Sequence, residues 1–396
     1  MVENTNRGSE EYSVKKDNIS RRSVLKSAGL GIFPVAHGDI SSKTVDRRER
    51  IVAGRSGNEA IYTKKVSKKW LNHQRKVRKV TDRLRKALAN RSYIGSVSYV
   101  PTDRMAEGAF YSEPEIAVQP GTSNEKINSL PDSLESAGID KPKGMVNSNI
   151  RKREMNGEFI NINVDCDRYR ANSGDWFPGG LEIRDGNTNS IGTGGCRAVD
   201  GSGNQYLYTA NHVIRDYCRV AGSGVDDGQG NRLGSGTAGH KTHDWLMVND
   251  NKRTYADWID GGGGEANFVH GFATQVGMES IQGQRGTCKS KGIISGKQSA
   301  YIKGGGASYV SSNGCVKMYG SAVKIGVPDY QRSGDSGGPI WWETSNGNNL
   351  VVTVFSGVEG WNGPDYSACN TSGTAGRPAY GYPFWRVDNN TKFTIV

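Results

Sequence analysis

The 396-residue sequence contains no apolar run that approaches the roughly 20 residues of a membrane-spanning helix, so we expect no membrane span. It contains no C-x-x-C pair, which argues against a structural zinc site. Long helical patterns are scarce in its second half, where glycine turns alternate with short apolar segments. These absences leave a turn-rich β protein as the predicted class of that half.

Positive charge is confined to one segment. The formal net charge is +11, and residues 60–91 hold twelve Lys and Arg against the single acid Asp82, which accounts for the whole excess. Residues 160–396 hold 21 basic and 21 acidic side chains. Because this larger part is neutral, we expect no nucleic-acid partner for it.

The basic segment also carries the strongest helix signal. Its apolar side chains recur at three- and four-residue spacings, which predicts an amphipathic helix with a basic outer face. Such a helix would be part of a removable pro-segment, a surface that binds polyanions or membranes, or a solvated helix without a partner. The apolar positions are Val66, Trp70, Val77, Val80, Leu84, Ala87 and Leu88.

The N-terminal part resembles an export signal followed by a pro-segment. Paired arginines in Ser-Arg-Arg-Ser-Val-Leu-Lys at 20–26 precede a short apolar stretch, as in twin-arginine signals. We therefore expect residues 1–38 to direct secretion, although an incidental basic pair is the alternative. Residues 39–160 are predicted to be the basic helix plus an irregular pro-segment or linker, because Pro, Ser, Asn and Glu dominate 92–150. The cluster at 151–153, Arg-Lys-Arg, has the character of an exposed processing site.

Six cysteines lie in the neutral part, a pattern that suits up to three disulfides in a secreted protein, with fifteen possible pairings. Buried free thiols are the alternative. The residues are Cys166, Cys196, Cys218, Cys288, Cys315 and Cys369.

The run Gly-Asp-Ser-Gly-Gly-Pro at 334–339 is the most informative in the chain. Glycines on both sides of Ser336 permit a tight turn that presents its hydroxyl. The amides of Gly334 and Ser336 would converge on an oxyanion, with about 3 kcal/mol of stabilisation per donor. A serine nevertheless needs a neighbouring base to become a good nucleophile.

His212 is the candidate base. It follows the apolar run Tyr206-Leu207-Tyr208 and the small residues of Thr209-Ala210, which predicts a histidine at the end of a strand. A carboxylate must then orient the imidazole. Asp244 fits best because the apolar run 245–248 follows it directly; Asp257 and Asp260 are the alternatives.

These motifs resemble those of the trypsin-like (chymotrypsin-fold) serine peptidases. The order His212, Asp244, Ser336 is that family's order, and the Thr-Ala-x-His motif at 209–212 matches it as well. The Gly-Gly pair at 179–180 is similar to the bacterial α-lytic and streptogrisin branch. The resemblance covers about 175–396 and implies an all-β fold of two antiparallel β-barrels with the active site between them. The first barrel would span 165–275 and the second 276–396, after a partly helical or irregular pro-region.

The resemblance also implies roles around the triad. Ser356, Gly357 and Val358 would line the substrate groove, with Ser356 hydrogen-bonded to the catalytic carboxylate. Tyr330 would lie at the floor of the specificity pocket, and Glu359 would be available as a charge near the groove. Lys289 would pair with Asp335. A Cys196–Cys218 bridge would close over the base, with Cys288–Cys315 and Cys166–Cys369 as further pairings.

The predicted function is that of a secreted serine endopeptidase made as a precursor, which needs neither a metal nor a cofactor. Its partners would be polypeptide substrates and its own pro-segment, and it would act as a monomer. The alternative is a catalytically weak or inactive protease-like protein that binds polyanions through 60–91. An esterase with the same triad is a third possibility.

Overall fold

The computed structural model describes residues 48–164, 176–188, 190–214, 224–249, 253–311, 315–327, 330–359 and 371–396. The predicted export signal at 1–38 lies outside these ranges. The described residues belong to one compact unit, Asp46–Val396. None of their helices is long and apolar enough to cross a membrane.

The N-terminal part, residues 48–164, contains six strands and two helices. Its elements are β1 (Arg48–Ser56), β2 (Glu59–Ser67), α1 (Lys68–Ala87), β3 (Ile94–Ala106), β4 (Ala109–Val118), α2 (Asn124–Asn128), β5 (Arg151–Glu154) and β6 (Glu158–Val164).

The predicted basic helix is confirmed for α1, which buries its apolar face. Its first turn is capped by the Ser67 hydroxyl, which accepts a hydrogen bond from the Trp70 amide at 3.4 Å. The part of the segment before Ser67 is strand β2, not helix.

The prediction of an irregular linker at 92–150 is wrong for residues 94–118. These form the antiparallel hairpin β3–β4, with Ile94 opposite Val118. Strand β5 adds to it in parallel, with Glu115 opposite Arg151. The 151–153 cluster is thus part of a sheet and is ion-paired, because Arg151 contacts Glu113 at 2.8 Å and Arg153 contacts Glu115 at 2.9 Å.

The described residues from 176 onward are mostly strand. Its strands up to residue 273 are β7 (Trp176–Gly179), β8 (Glu182–Asp185), β9 (Ile191–Thr193), β10 (Cys196–Asp200), β11 (Gln205–Thr209), β12 (Gly224–Asp227), β13 (Arg232–His240), β14 (Trp245–Asn249), β15 (Thr254–Gly262) and β16 (Glu265–Ala273).

The later elements are α3 (Gln275–Gly283), β17 (Thr287–Gly292), β18 (Gly296–Val310), β19 (Lys317–Gly326), β20 (Gln331–Arg332), β21 (Pro339–Glu343), β22 (Asn349–Val354), β23 (Gly357–Val358), β24 (Thr371–Arg377), β25 (Ala379–Gly381), α4 (Phe384–Asn390) and β26 (Phe393–Thr394).

The strands form sheets of fifteen, eight and three strands, and these are not the two closed barrels that the resemblance implies. Strand β1 pairs with β16, and β3 pairs with β18. Strands β1 to β5 of the N-terminal part are therefore part of the largest sheet. Strands β16 and β22, from opposite sides of the predicted boundary at 275, pair in parallel in that sheet.

The N-terminal part shares a hydrophobic core with the rest of the molecule. Ile51, Trp70 and Leu71 are buried in one cluster with Met278 and Val352. Separating the two parts would expose these side chains to water, at a cost of about 25 cal/mol per Å² of apolar surface.

The cysteine pairings that the resemblance implies are wrong where they can be checked. Cys196 and Cys288 are buried free thiols, which excludes the Cys196–Cys218 and Cys288–Cys315 bridges. Burial raises the pKa of the Cys288 thiol to about 12, so it stays protonated. Cys315 is disulfide-bonded, but to neither of these two thiols. The other predicted positions, Cys166, Cys218 and Cys369, lie outside the described residues.

Candidate active site

His212 and Asp244 are joined by two hydrogen bonds. The ring Nδ1 of His212 lies 2.7 Å from Oδ2 of Asp244, and the His212 backbone amide donates to Oδ1 at 2.9 Å. Asp244 is fully buried and His212 nearly so. The carboxylate therefore orients the ring and favours the tautomer that leaves Nε2 as an acceptor.

Strand register explains why these two residues meet. In the antiparallel pair β11–β14, Thr209 lies opposite Leu246. Asp244 immediately precedes β14, and His212 follows the end of β11 by three residues, so the two side chains leave neighbouring strands at the same end. Asp244 has a φ of 55°, in the left-handed region that Asp tolerates better than most side chains. His212 itself lies in a 3₁₀ turn, Asn211–Val213, directly after β11.

Ser336 lies in a turn that two glycines make possible. Gly334 has a φ of 98° and Gly337 a φ of 86°, both in the region that favours glycine. The Ser336 carbonyl accepts a hydrogen bond from the Thr193 amide at 2.7 Å, and the Thr193 hydroxyl donates to the Gly334 carbonyl at 2.9 Å. Because Thr193 belongs to β9, it connects the turn to the eight-stranded sheet that includes β11.

The amides of the turn divide into two groups. Those of Asp335, Gly337 and Gly338 donate to the carbonyls of Arg332, Phe355 and Asp335. Those of Gly334 and Ser336 donate to no backbone or side-chain acceptor in the described part of the chain. An oxyanion site requires two such amide donors, and here they are the amide of the serine itself and that of the residue two positions before it.

The Asp335 carboxylate anchors the turn, but not through Lys289 as the resemblance implies. It is fully buried and accepts hydrogen bonds from the amides of Ile294, Ser295 and Arg332 at 2.7–3.0 Å and from the Ser295 hydroxyl. Burial raises its pKa, and these hydrogen bonds oppose the rise. A Cβ on Gly292 would stand 2.0 Å from Oδ1, so the close approach of this loop requires glycine.

His212 and Ser336 line the same cleft. The predicted groove residues Ser356, Gly357 and Val358 line it too, and the site is thus brought together from both halves of the chain. The further lining residues are Tyr309, Gln331, Arg332, Ser333 and Phe355.

Two expected contacts are not found. The Ser356 hydroxyl is buried and has no hydrogen-bond partner among the described residues, so it does not bind the Asp244 carboxylate. Tyr330 is not a lining residue of the cleft; its hydroxyl donates to Glu158 at 3.2 Å and its ring packs under the Arg377 guanidinium. Glu158 belongs to β6, which lies outside the region of the resemblance.

Glu359 is not a free charge near the groove either. It is buried and ion-paired with Arg153 and Lys324. Tyr309 was missed by the sequence analysis, because only the fold brings this residue of β18 against Gly357. Among the described residues, no cluster of His, Cys, Asp or Glu could hold a metal ion.

The structure resembles solved bacterial serine proteases. It is 18% identical, with a TM-score of 0.41, to a glutamic acid-specific serine protease described as using a histidine triad in substrate binding, over 55% of this chain and 100% of that chain. A Nocardiopsis protease (NAPase) is 19% identical with a TM-score of 0.40, over 56% of this chain and 100% of that chain. Thermobifida fusca protease A is 18% identical with a TM-score of 0.39, over 56% of this chain and 98% of that chain. No protein-family model matches the sequence, and no curated protein matches it significantly.

Proposed function

We propose that this protein is a serine endopeptidase. The observation that carries the proposal is the doubly hydrogen-bonded pair of Asp244 and His212 in one cleft with Ser336, beside two uncommitted amides. Because the TM-scores lie below 0.5, the proposal rests on these residues and not on the solved structures.

The reaction would follow from the geometry. His212 Nε2 takes the proton of the Ser336 hydroxyl as the oxygen attacks the peptide carbonyl. The amides of Gly334 and Ser336 hold the oxyanion of the tetrahedral intermediate. The imidazolium, stabilised by Asp244, then gives its proton to the departing amine and leaves an acyl-enzyme. Water, activated by His212, adds to the acyl group and releases the second product, which restores the serine.

The test uses a fluorophosphonate probe on the full chain, followed by peptide-library profiling. We expect labelling of the wild type, none of Ser336→Ala, and peptide cleavage lost in parallel. Labelling that persists in Ser336→Ala, or its absence in the wild type, would refute the proposal. Cleavage of esters but not of peptides would favour the esterase.

Secretion as a precursor is the further part of this proposal, supported by the twin-arginine motif at 20–26. The N-terminal sequence of exported protein tests it. A start shortly after residue 38 indicates removal of a signal alone, and a start between about 150 and 180 indicates removal of a pro-segment as well.

Polyanion binding is the second candidate function, because α1 has an exposed basic face. Lys69, Lys79, Arg83 and Lys86 are exposed and have no ion-pair partner among the described residues. Salt-dependent binding of heparin that is lost on their joint replacement by Gln would support it.

A further inference from the structure

A buried cluster of charges lies at the end of the cleft wall. Glu359 is 1% exposed, and its carboxylate accepts hydrogen bonds from Arg153 at 2.6 and 3.1 Å, from Lys324 at 3.1 Å and from the Tyr380 hydroxyl at 2.7 Å. Both carboxylate oxygens bind the Arg153 guanidinium. This bidentate contact fixes the orientation of the carboxylate as well as its distance from the guanidinium.

Glu359 directly follows the residues that line the cleft. Gly357 and Val358 form β23, which pairs with β25 at Tyr380 and Ala379. The Glu359 amide donates to the Pro378 carbonyl at 2.9 Å. A shift of the Glu359 side chain would therefore be passed to the two residues before it, which line the cleft with His212 and Ser336.

Arg153 reaches this point from a different part of the chain, 206 residues away. It lies on β5, which pairs with β4, and its Nε also donates to Glu115 at 2.9 Å. The guanidinium thus bridges two carboxylates, one on the N-terminal hairpin and one at the cleft wall. It is only 25% exposed, so little solvent screens these contacts.

The two cations that contact Glu359 differ in how readily they lose their charge. Burial raises the pKa of Glu359, but the positive charges of Lys324 and Arg153 lower it by a larger amount. The resulting pKa is about 2, so the carboxylate is ionised at neutral pH. Burial lowers the pKa of Lys324 to about 8, close enough to neutrality for it to lose its proton in weak base. An arginine keeps its charge throughout, and a buried carboxylate that loses its partner becomes an uncompensated charge.

We propose that Arg153 is a positioning residue that holds the 357–358 wall of the cleft through Glu359. Residues 48–164 would then be needed for full activity of the enzyme, whether the chain stays continuous or is cut and its parts remain associated. This inference rests on the proposed peptidase function. It differs from the prediction that the segment is only a removable pro-segment.

The test compares Arg153→Gln with Arg151→Gln in the full-length protein. Arg151 lies on the same strand, is 44% exposed and pairs with Glu113, away from the cleft wall. Two rates are measured. The first is the rate of hydrolysis of the best peptide from the library, which needs the wall and from which KM is obtained. The second is the rate of fluorophosphonate labelling, which needs only Ser336, His212 and the oxyanion site. We expect Arg153→Gln to raise KM about tenfold while the labelling rate changes less than about threefold. Arg151→Gln should match the wild type in both.

Different results would reject the role of Arg153 and the proposed peptidase function. Absence of Ser336-dependent labelling in the wild type would reject both. Normal labelling with an unchanged KM in Arg153→Gln, or equal losses of both rates, would reject the inference alone. If Arg153→Gln does not fold, Arg153→Lys carries the test, because it keeps the charge but loses the bidentate contact. Its KM should rise several-fold, and an unchanged KM would overturn the inference.

Discussion

Gly337 packs directly against the hydroxyl of Thr209. A Cβ built on Gly337 would stand 2.2 Å from the Thr209 Oγ1 and 2.3 Å from the Thr193 carbonyl oxygen. The turn that presents Ser336 thus packs against the end of β11, the strand that precedes His212. Only a residue without a side chain allows this approach, and the φ of 86° selects glycine independently.

Gly337→Ala should therefore disrupt both folding and activity. Gly347 provides a matched control, because its φ is 83° and no atom lies within 4 Å of its Cβ position. Gly347→Ala should cost only the backbone strain of about 1–2 kcal/mol in the free energy of unfolding. Gly337→Ala adds a clash with backbone, and urea denaturation should show a loss about 2 kcal/mol larger. Equal losses would contradict the packing described here.

Asp244→Asn should lower kcat by about 10⁴ without unfolding the protein. The amide can still accept from the His212 backbone, but its NH₂ group would favour the tautomer with the proton on Nε2, which cannot take the serine proton. Peptide hydrolysis and circular dichroism check the two parts of this expectation. Asp257→Asn serves as the control, since Asp257 was an alternative carboxylate in the sequence. Its activity should be unchanged, and a reversed result would assign the role to Asp257.

The candidate site could be predicted where a short motif marks a turn or the end of a strand. The glycines around Ser336 create its turn by their own backbone freedom, and Asp244 meets His212 through the register of adjacent strands. The errors concern contacts between residues that no short motif marks. The Pro, Ser, Asn and Glu content of 92–150 indicated a linker, yet Glu113 and Glu115 contact arginines 38 residues later within a hairpin that belongs to a sheet. The partners of Asp335 and Tyr330 likewise come from segments that no local pattern identifies.

Tyr309→Ala should widen the cleft and change substrate preference. The Tyr309 hydroxyl lies 2.0 Å from the Cβ position of Gly357, and its ring stacks on Tyr380 at 5.3 Å. Removing the ring opens space beside the wall, so larger side chains next to the cleaved bond should gain about tenfold in relative kcat/KM. Library profiling measures this gain. Tyr319→Ala, at a position 63% exposed, should leave the profile unchanged. An identical profile for both variants would show that Tyr309 does not shape the pocket.

Stability should fall in weak acid because of His243. Its ring stacks between His240 at 4.1 Å and Tyr382 at 4.4 Å. Burial, His240 and Arg386 lower its pKa from 6.5 to about 4. The folded state therefore disfavours the charged form, and between about pH 6.5 and 4 the unfolded state binds more protons. Stability is lost as the pH falls through this window, by about 1–2 kcal/mol once screening of this half-exposed ring is allowed for. His243→Phe keeps an aromatic ring in the stack but cannot titrate, so its urea midpoint should change less between pH 6.5 and 4. A wild-type slope that survives in this variant would assign the acid sensitivity to other groups.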